Sequence, residues 1–237
     1  MSTLHHIAYL IISIVFLSSC ESNTFYCSSQ QDLLKTEKEA PIIELNFNHT
    51  NETMLQQITS EFENLDSICN YSPTFYVPFD FKNQIIAKTS TATLIPFKVF
   101  NYCPDEIFVK GSRYNLPILI NDANQVLMLG DYIKRDDFKT KLEQWYEGEP
   151  TEVKRTRKET NFSLTYDKTL SQDSLIADIQ ALTDAYFHCA ERLAQDEFKS
   201  SICELSQKEV ESLHKKMPFR IWLPLNFPLP PPPPPVE

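Results

Sequence analysis

The most constraining stretch is residues 116–146, LPILINDANQVLMLGDYIKRDDFKTKLEQWY, because it changes period twice within one short span. Leu116, Ile118 and Ile120 alternate, as a half-buried strand requires. Asn121-Asp122-Ala123-Asn124 supplies turn chemistry, since Asn and Asp tolerate left-handed backbone and bond to their own main chain. Val126 and Met128 then share one side of a second strand with Gly130, which marks a sharp exit. Phe138, Leu142 and Trp145 follow at helical spacing, so one helix face lies back on the hairpin. The unit is a scaffold and carries no obvious catalytic group.

The N-terminus is a targeting segment. Residues 7–17, IAYLIISIVFL, are apolar and uncharged. At ~1.5 Å per residue such a run is too short to cross a hydrocarbon core of ~30 Å. It fits the hydrophobic region of a secretory signal. Leu17-Ser18-Ser19-Cys20 then resembles the bacterial lipobox, an aliphatic residue, two small residues and a cysteine. That resemblance implies cleavage before Cys20 and attachment of a diacylglycerol to its thiol, so residues 1–19 are read as a lipoprotein signal peptide. The alternative is an ordinary cleaved signal, with Cys20 joining a disulfide. Residues 20–39 have few large apolar side chains after Phe25 and Tyr26, and read as a flexible tether.

Residues 40–222 are expected to form one α+β domain, a small mixed sheet with helices packed on one face. Residues 42–47, 74–81, 94–102, 107–109 and 161–166 read as strands. Pro78 and Pro96 remove ladder donors, which predicts edge positions for their strands. Leu55, Ile58, Phe62 and Leu65 predict a helix, with Thr53 and Gln56 as its capping box. A helical extension covers 171–217. Its first helix opens at Ser171 and buries Leu175, Ile179, Leu182, Tyr186, Ala190 and Leu193. Its second is capped by Ser206 and Glu209 and stopped by Pro218. Residues 223–237, with six consecutive prolines at 230–235, read as a polyproline tail.

Little here points to catalysis. The formal charge of -10 argues against a nucleic-acid partner. The three glycines, 111, 130 and 148, build no phosphate-cradling loop. His188 and Cys189 are adjacent on a helix and diverge, so they make no metal pair. Asp136-Asp137 and Asp105-Glu106 are read as solvated charges, and the basic knot Lys154, Arg155, Arg157 and Lys158 as a solvated loop diluted by glutamates. Asn48, Asn51 and Asn161 begin chance glycosylation sequons. No enzyme activity, cofactor or metal is implied. Export places the six cysteines in an oxidising space. Cys69 with Cys103, and Cys189 with Cys203, are candidate disulfides by chain order, although sequence alone does not fix connectivity.

Two stretches resemble the periplasmic part of the ExbD/TolR biopolymer-transport proteins. One is residues 119–145, with strand-turn-strand, Gly130, Ile133, Phe138 and Leu142. The other is residues 182–221, similar to the helical C-terminal extension of Bacteroidetes ExbD-like proteins, here Ala185-Tyr186, Leu193, Phe198, Leu205, Glu209, Glu211, Pro218 and Arg220. Together they cover less than half of the chain. The family's transmembrane helix carries an aspartate for its proton path; the apolar run here has none, so proton coupling does not carry over. The resemblance implies the sheet-and-helix fold, a homodimer, and contact with envelope proteins or peptidoglycan. The function expected is a lipid-anchored, non-enzymatic scaffold or accessory binding component of the cell envelope, alongside an ExbD/TonB-type complex. The alternative is a surface lipoprotein that binds a small ligand or glycan.

Overall fold

The computed structural model describes residues 25–35, 37, 39–62, 73–100, 115–123, 125–147 and 161–225. Its strands are β1 (Thr74–Asp80), β2 (Ile85–Ile86), β3 (Thr93–Phe100), β4 (Asn115–Ile120), β5 (Val126–Met128), β6 (Asp131–Ile133), β7 (Asn161–Tyr166) and β8 (Arg220–Pro224). Its helices are α1 (Ser28–Leu34), α2 (Asn51–Ser60), α3 (Arg135–Glu147), α4 (Gln172–Phe198) and α5 (Gln207–Lys216). The class is α+β, an eight-stranded mixed sheet in the order β2-β1-β3-β8-β7-β4-β5-β6. The four central strands β3, β8, β7 and β4 run parallel, and an antiparallel hairpin closes each side.

Strand alternation sorts side chains into two faces. One carries Phe75, Val77, Phe79, Ile95, Phe97, Ile221, Phe162, Leu164, Ile118 and Val126, all at most 1% exposed. α4 packs there through a stripe that includes Leu175, Ile179, Leu182, Tyr186 and Ala190, and the Tyr186 ring packs at a tilt on Phe219 beside Phe162. Ser171 caps α4 by accepting the Ser174 amide at 3.2 Å, and Lys199 closes it in left-handed backbone, φ 58°. Ser206 and Glu209 cap α5 reciprocally. Phe138 and Leu142 seat α3 next to α4.

Several expectations are corrected. Residues 27–34 are not a loose tether. Cys27 is disulfide-bonded to Cys203, and Leu33 and Leu34 are fully buried. The pairing of Cys189 with Cys203 is therefore wrong: Cys189 lies buried on α4 outside that disulfide, 3.9 Å from the Glu143 carbonyl. Cys20, Cys69 and Cys103 lie outside the described residues, as do residues 107–109 and the basic knot at 154–158. The tail does not begin at 223, because β8 inserts between β3 and β7 and buries Leu223 and Leu225. Residues 42–47 alternate in burial yet, among the described residues, form a single bridge, Ile42 to Tyr76. Thr50, not Thr53, caps α2.

Pro78 and Pro96 lie on interior strands, not edges. Tyr76 exchanges its backbone bonds with Pro41 and Ile43 on the outer side of β1, so Pro78, two residues on, also faces outward. Its missing N–H falls between the Ile42 bridge and β2. Pro96 precedes the first β3–β8 pair, Phe97 with Ile221, so its missing donor falls where that ladder begins.

Candidate functional site: the second face of the sheet

The opposite face is built from the alternate residues, and register aligns them into two rows. Thr74, Lys98, Trp222, Ser163 and Pro117 are successive partners across β1, β3, β8, β7 and β4. Thr165, Leu119, Leu127 and Tyr132 are successive partners across β7, β4, β5 and β6.

The first row is cationic and aromatic. Lys98 Nζ lies 5.9 Å from the Trp222 ring centroid and 3.9 Å from Glu37 Oε1. Burial, then the nearby Arg220, push the Lys98 amine below the usual lysine range, while Glu37 opposes them. Arg220 Nε is buried without a hydrogen-bond partner. Glu37 straps the N-terminal segment over this half of the face. Its carboxylate accepts from the Thr74 hydroxyl at 2.7 Å, and its backbone exchanges two bonds with the Tyr76 hydroxyl, at 3.0 and 2.9 Å.

The second row is apolar and open. Leu119 and Leu127 are half-buried, and Tyr132 is 41% exposed. Leu129, 55% exposed, stands at the β5–β6 turn beside them. Leu129 has φ 58° and Gly130 φ 92°, so both central residues of this two-residue hairpin have positive φ, the type I′ pattern. Gly130 is thus a turn residue leading into β6, not the exit to the helix. β6 is the last strand of the sheet and pairs only with β5 among the described residues. Its outer edge and the adjoining apolar row form a surface of the kind to which a further strand or a protein face adds.

Other candidate chemistry resolves into structural roles. Asp80, fully buried, accepts from the Asn83 amide and side chain and from the Thr89 and Thr91 hydroxyls, which hold its carboxyl well below the usual range. It ties the β1–β2 turn to the β2–β3 loop. Lys168 Nζ donates to the Tyr166 hydroxyl at 2.9 Å, which in turn donates to the Phe47 carbonyl, and burial lowers the amine to about 8. Arg135 at the start of α3 meets Asp178 of α4 at 2.8 Å and the Ser174 carbonyl at 2.6 Å. Asp136 and Asp137 are exposed in the first turn of α3, where negative charge suits the helix dipole. His188 Nδ1 lies 4.0 Å from Glu143. Among the described residues, no three His, Cys, Asp or Glu side chains are grouped to hold a metal, and no helix is long and apolar enough to cross a membrane. No protein-family model, curated protein or solved structure matches the chain.

Sequence reasoning missed Leu129 and Tyr132 as surface residues. Reading residues 126–130 as one strand hid the turn, although Leu-Gly before a short alternating run was the available signal. It also missed Lys98 and Trp222 as neighbours, because their contact depends on β8 entering the sheet.

Proposed function

We propose that the protein is a cell-envelope lipoprotein, anchored by acyl chains on Cys20, that works as a non-enzymatic scaffold or accessory component of an ExbD/TonB-type complex. The open apolar row Leu119-Leu127-Tyr132, with Leu129 and the outer edge of β6, is its docking surface. The observation that carries this reading is the presence of that row, in an acidic chain, at a sheet edge that no strand among the described residues covers. The two stretches similar to ExbD/TolR proteins also come together in space: β4, β5 and β6 hold the first, and β8, which holds the end of the second, is separated from β4 only by β7.

A second reading, a surface lipoprotein for a small ligand or glycan, draws on an open cleft of about 300 Å³ lined by Gln31, Lys35, Ile42, Pro78, Lys88, Thr89, Ala92 and Leu94. Its mixed polar and apolar lining suits a hydroxylated ligand.

The test is metabolic labelling with a clickable fatty acid followed by quantitative co-purification from envelope membranes. Labelling of wild type and not of Cys20→Ala, with ExbB-, ExbD- or TonB-like proteins enriched with wild type and lost with L129D/Y132E, is the expected result. Equal labelling of wild type and Cys20→Ala, or enrichment unchanged by L129D/Y132E, overturns it.

A further inference from the structure

The packed body begins very close to Cys20. Tyr26 is buried, donates its hydroxyl to Asp184 at 2.7 Å, and packs its ring on Phe187 and Phe81. Cys27 is covalently tied to Cys203. Only five residues separate Cys20 from Tyr26. Even fully extended, that span reaches roughly 20 Å. A lipid on Cys20 would therefore hold one particular part of the body against the bilayer.

That part is the tip of the β1–β2 hairpin. Phe25 is 46% exposed, and its ring contacts those of Tyr26 and Phe81, the residue that opens the hairpin turn. Ile85, on the return strand opposite Asp80, is 40% exposed. Residues 81–90, FKNQIIAKTS, carry the exposed Lys82 and Lys88 and no acidic residue, in a chain of net charge -10. Three carboxylates also lie beside this region, and their hydrogen bonds to neutral donors leave them charged. Asp80 is buried under four hydrogen bonds, Asp184 takes the Tyr26 hydroxyl, and Glu44 accepts the Lys88 backbone amide at 2.9 Å. Aromatic and aliphatic side chains next to lysines are the combination that seats on an anionic headgroup layer.

We propose that the β1–β2 hairpin tip, with Phe25, Ile85 and Lys82, and Lys88 in the loop after β2, rests on the anionic bilayer surface that holds the Cys20 anchor. The proposal depends on the lipoprotein reading above. It sets the orientation of the molecule. β2 and β6 are opposite ends of an eight-stranded sheet, roughly 34 Å apart at the usual strand spacing of about 4.8 Å. With β2 on the membrane, the β6 edge and Tyr132 point away from it, free to meet a partner.

The experiment uses the acylated full chain, purified from envelope membranes and reconstituted into vesicles of phosphatidylethanolamine and phosphatidylglycerol with brominated acyl chains. Flotation of wild type and of Cys20→Ala first tests the anchor. Tryptophan is then placed singly at three positions, F25W, I85W and Y132W, and bromine quenching is measured on the floated protein against the wild-type background. The expected result is flotation of wild type but not of Cys20→Ala, with clear quenching at 25 and 85 and none at 132. In phosphatidylcholine alone, or in K82E/K88E, the docked fraction should fall roughly tenfold or more relative to undocked, the scale of losing two headgroup-bound lysines. Flotation with equal quenching at all three positions, or quenching indifferent to lipid charge and to K82E/K88E, overturns the docking and leaves the anchor standing. Equal behaviour of wild type and Cys20→Ala in flotation overturns the anchor and the docking with it.

Discussion

Replacing Cys27 by serine should be among the most damaging single changes outside the sheet. The disulfide joins residues 176 positions apart, so it closes almost the whole folded body into one loop. The chain-entropy treatment assigns a loop of that size about 5 kcal/mol of unfolded-state restriction. Part of the contact survives without the bond. Leu33 and Leu34 remain buried, and His214 Nδ1 still meets the Leu33 carbonyl at 2.8 Å, so α1 keeps noncovalent reasons to stay. The net loss expected is therefore about 2–5 kcal/mol. Urea unfolding followed by circular dichroism gives the value directly, on wild type, wild type with dithiothreitol, and Cys27→Ser. The reduced wild type should match Cys27→Ser, and both should show a larger m-value, because an uncrosslinked chain exposes more surface when unfolded. Peptide mapping under non-reducing conditions should return the Cys27–Cys203 pair, and Cys189 should react with a thiol reagent only after unfolding. A stability change under about 1 kcal/mol in Cys27→Ser, or a mapped Cys189–Cys203 pair, would refute the reasoning, because the loop length alone predicts several times that effect.

Gly130→Val should destabilise by ~1–3 kcal/mol, the cost of forcing a β-branched residue to positive φ; an added Cβ meets nothing within 4 Å, so an unchanged melting temperature would remove the backbone argument. Asp178 is 2% exposed, and burial raises its carboxyl to about 6 against the pull of Arg135. Its folded pKa lies above the unfolded value, so its contribution is complete below about pH 4 and fades as pH rises through about 6. Relative to Asp178→Asn, wild type should lose up to about 3 kcal/mol between pH 4 and 7, and parallel thermal-melt profiles of the two proteins would contradict this. The isolated body, residues 25–225, should dimerise through the β6 edge in light scattering across a hundredfold concentration range; a monomer mass throughout, or a dimer untouched by L129D/Y132E, would reject that contact.

Sequence carried the elements whose signals are local. α4 is legible because six apolar positions step at helical spacing behind a serine cap, and all six are buried. α5 is legible from Ser206 and Glu209, and α3 from Phe138 and Leu142. Elements whose signal is distant were hidden. β8 sits among prolines and has a central place only because β3 and β7 present a parallel slot. α1 is seven residues long, too short to announce itself, and is fixed by a cysteine partner 176 residues away. Pro78 and Pro96 misled because the rule about missing donors concerns where the N–H points, and that direction is set by register. The docking surface was hidden for the same reason. Leu129 and Tyr132 look like ordinary apolar strand residues until the positive φ at Leu129 and Gly130 turns the chain into β6.

The central claim is that this chain presents the β4–β6 end of its sheet to an envelope partner. Site-specific photo-cross-linking in living cells tests it most directly, with the reactive amino acid at Tyr132 and, as control, at Glu211 on the exposed surface of α5. Mass spectrometry of the conjugates should identify an ExbB-, ExbD- or TonB-like protein cross-linked through position 132 and not through 211. The same partner from both positions, or no envelope protein from position 132, would contradict the claim.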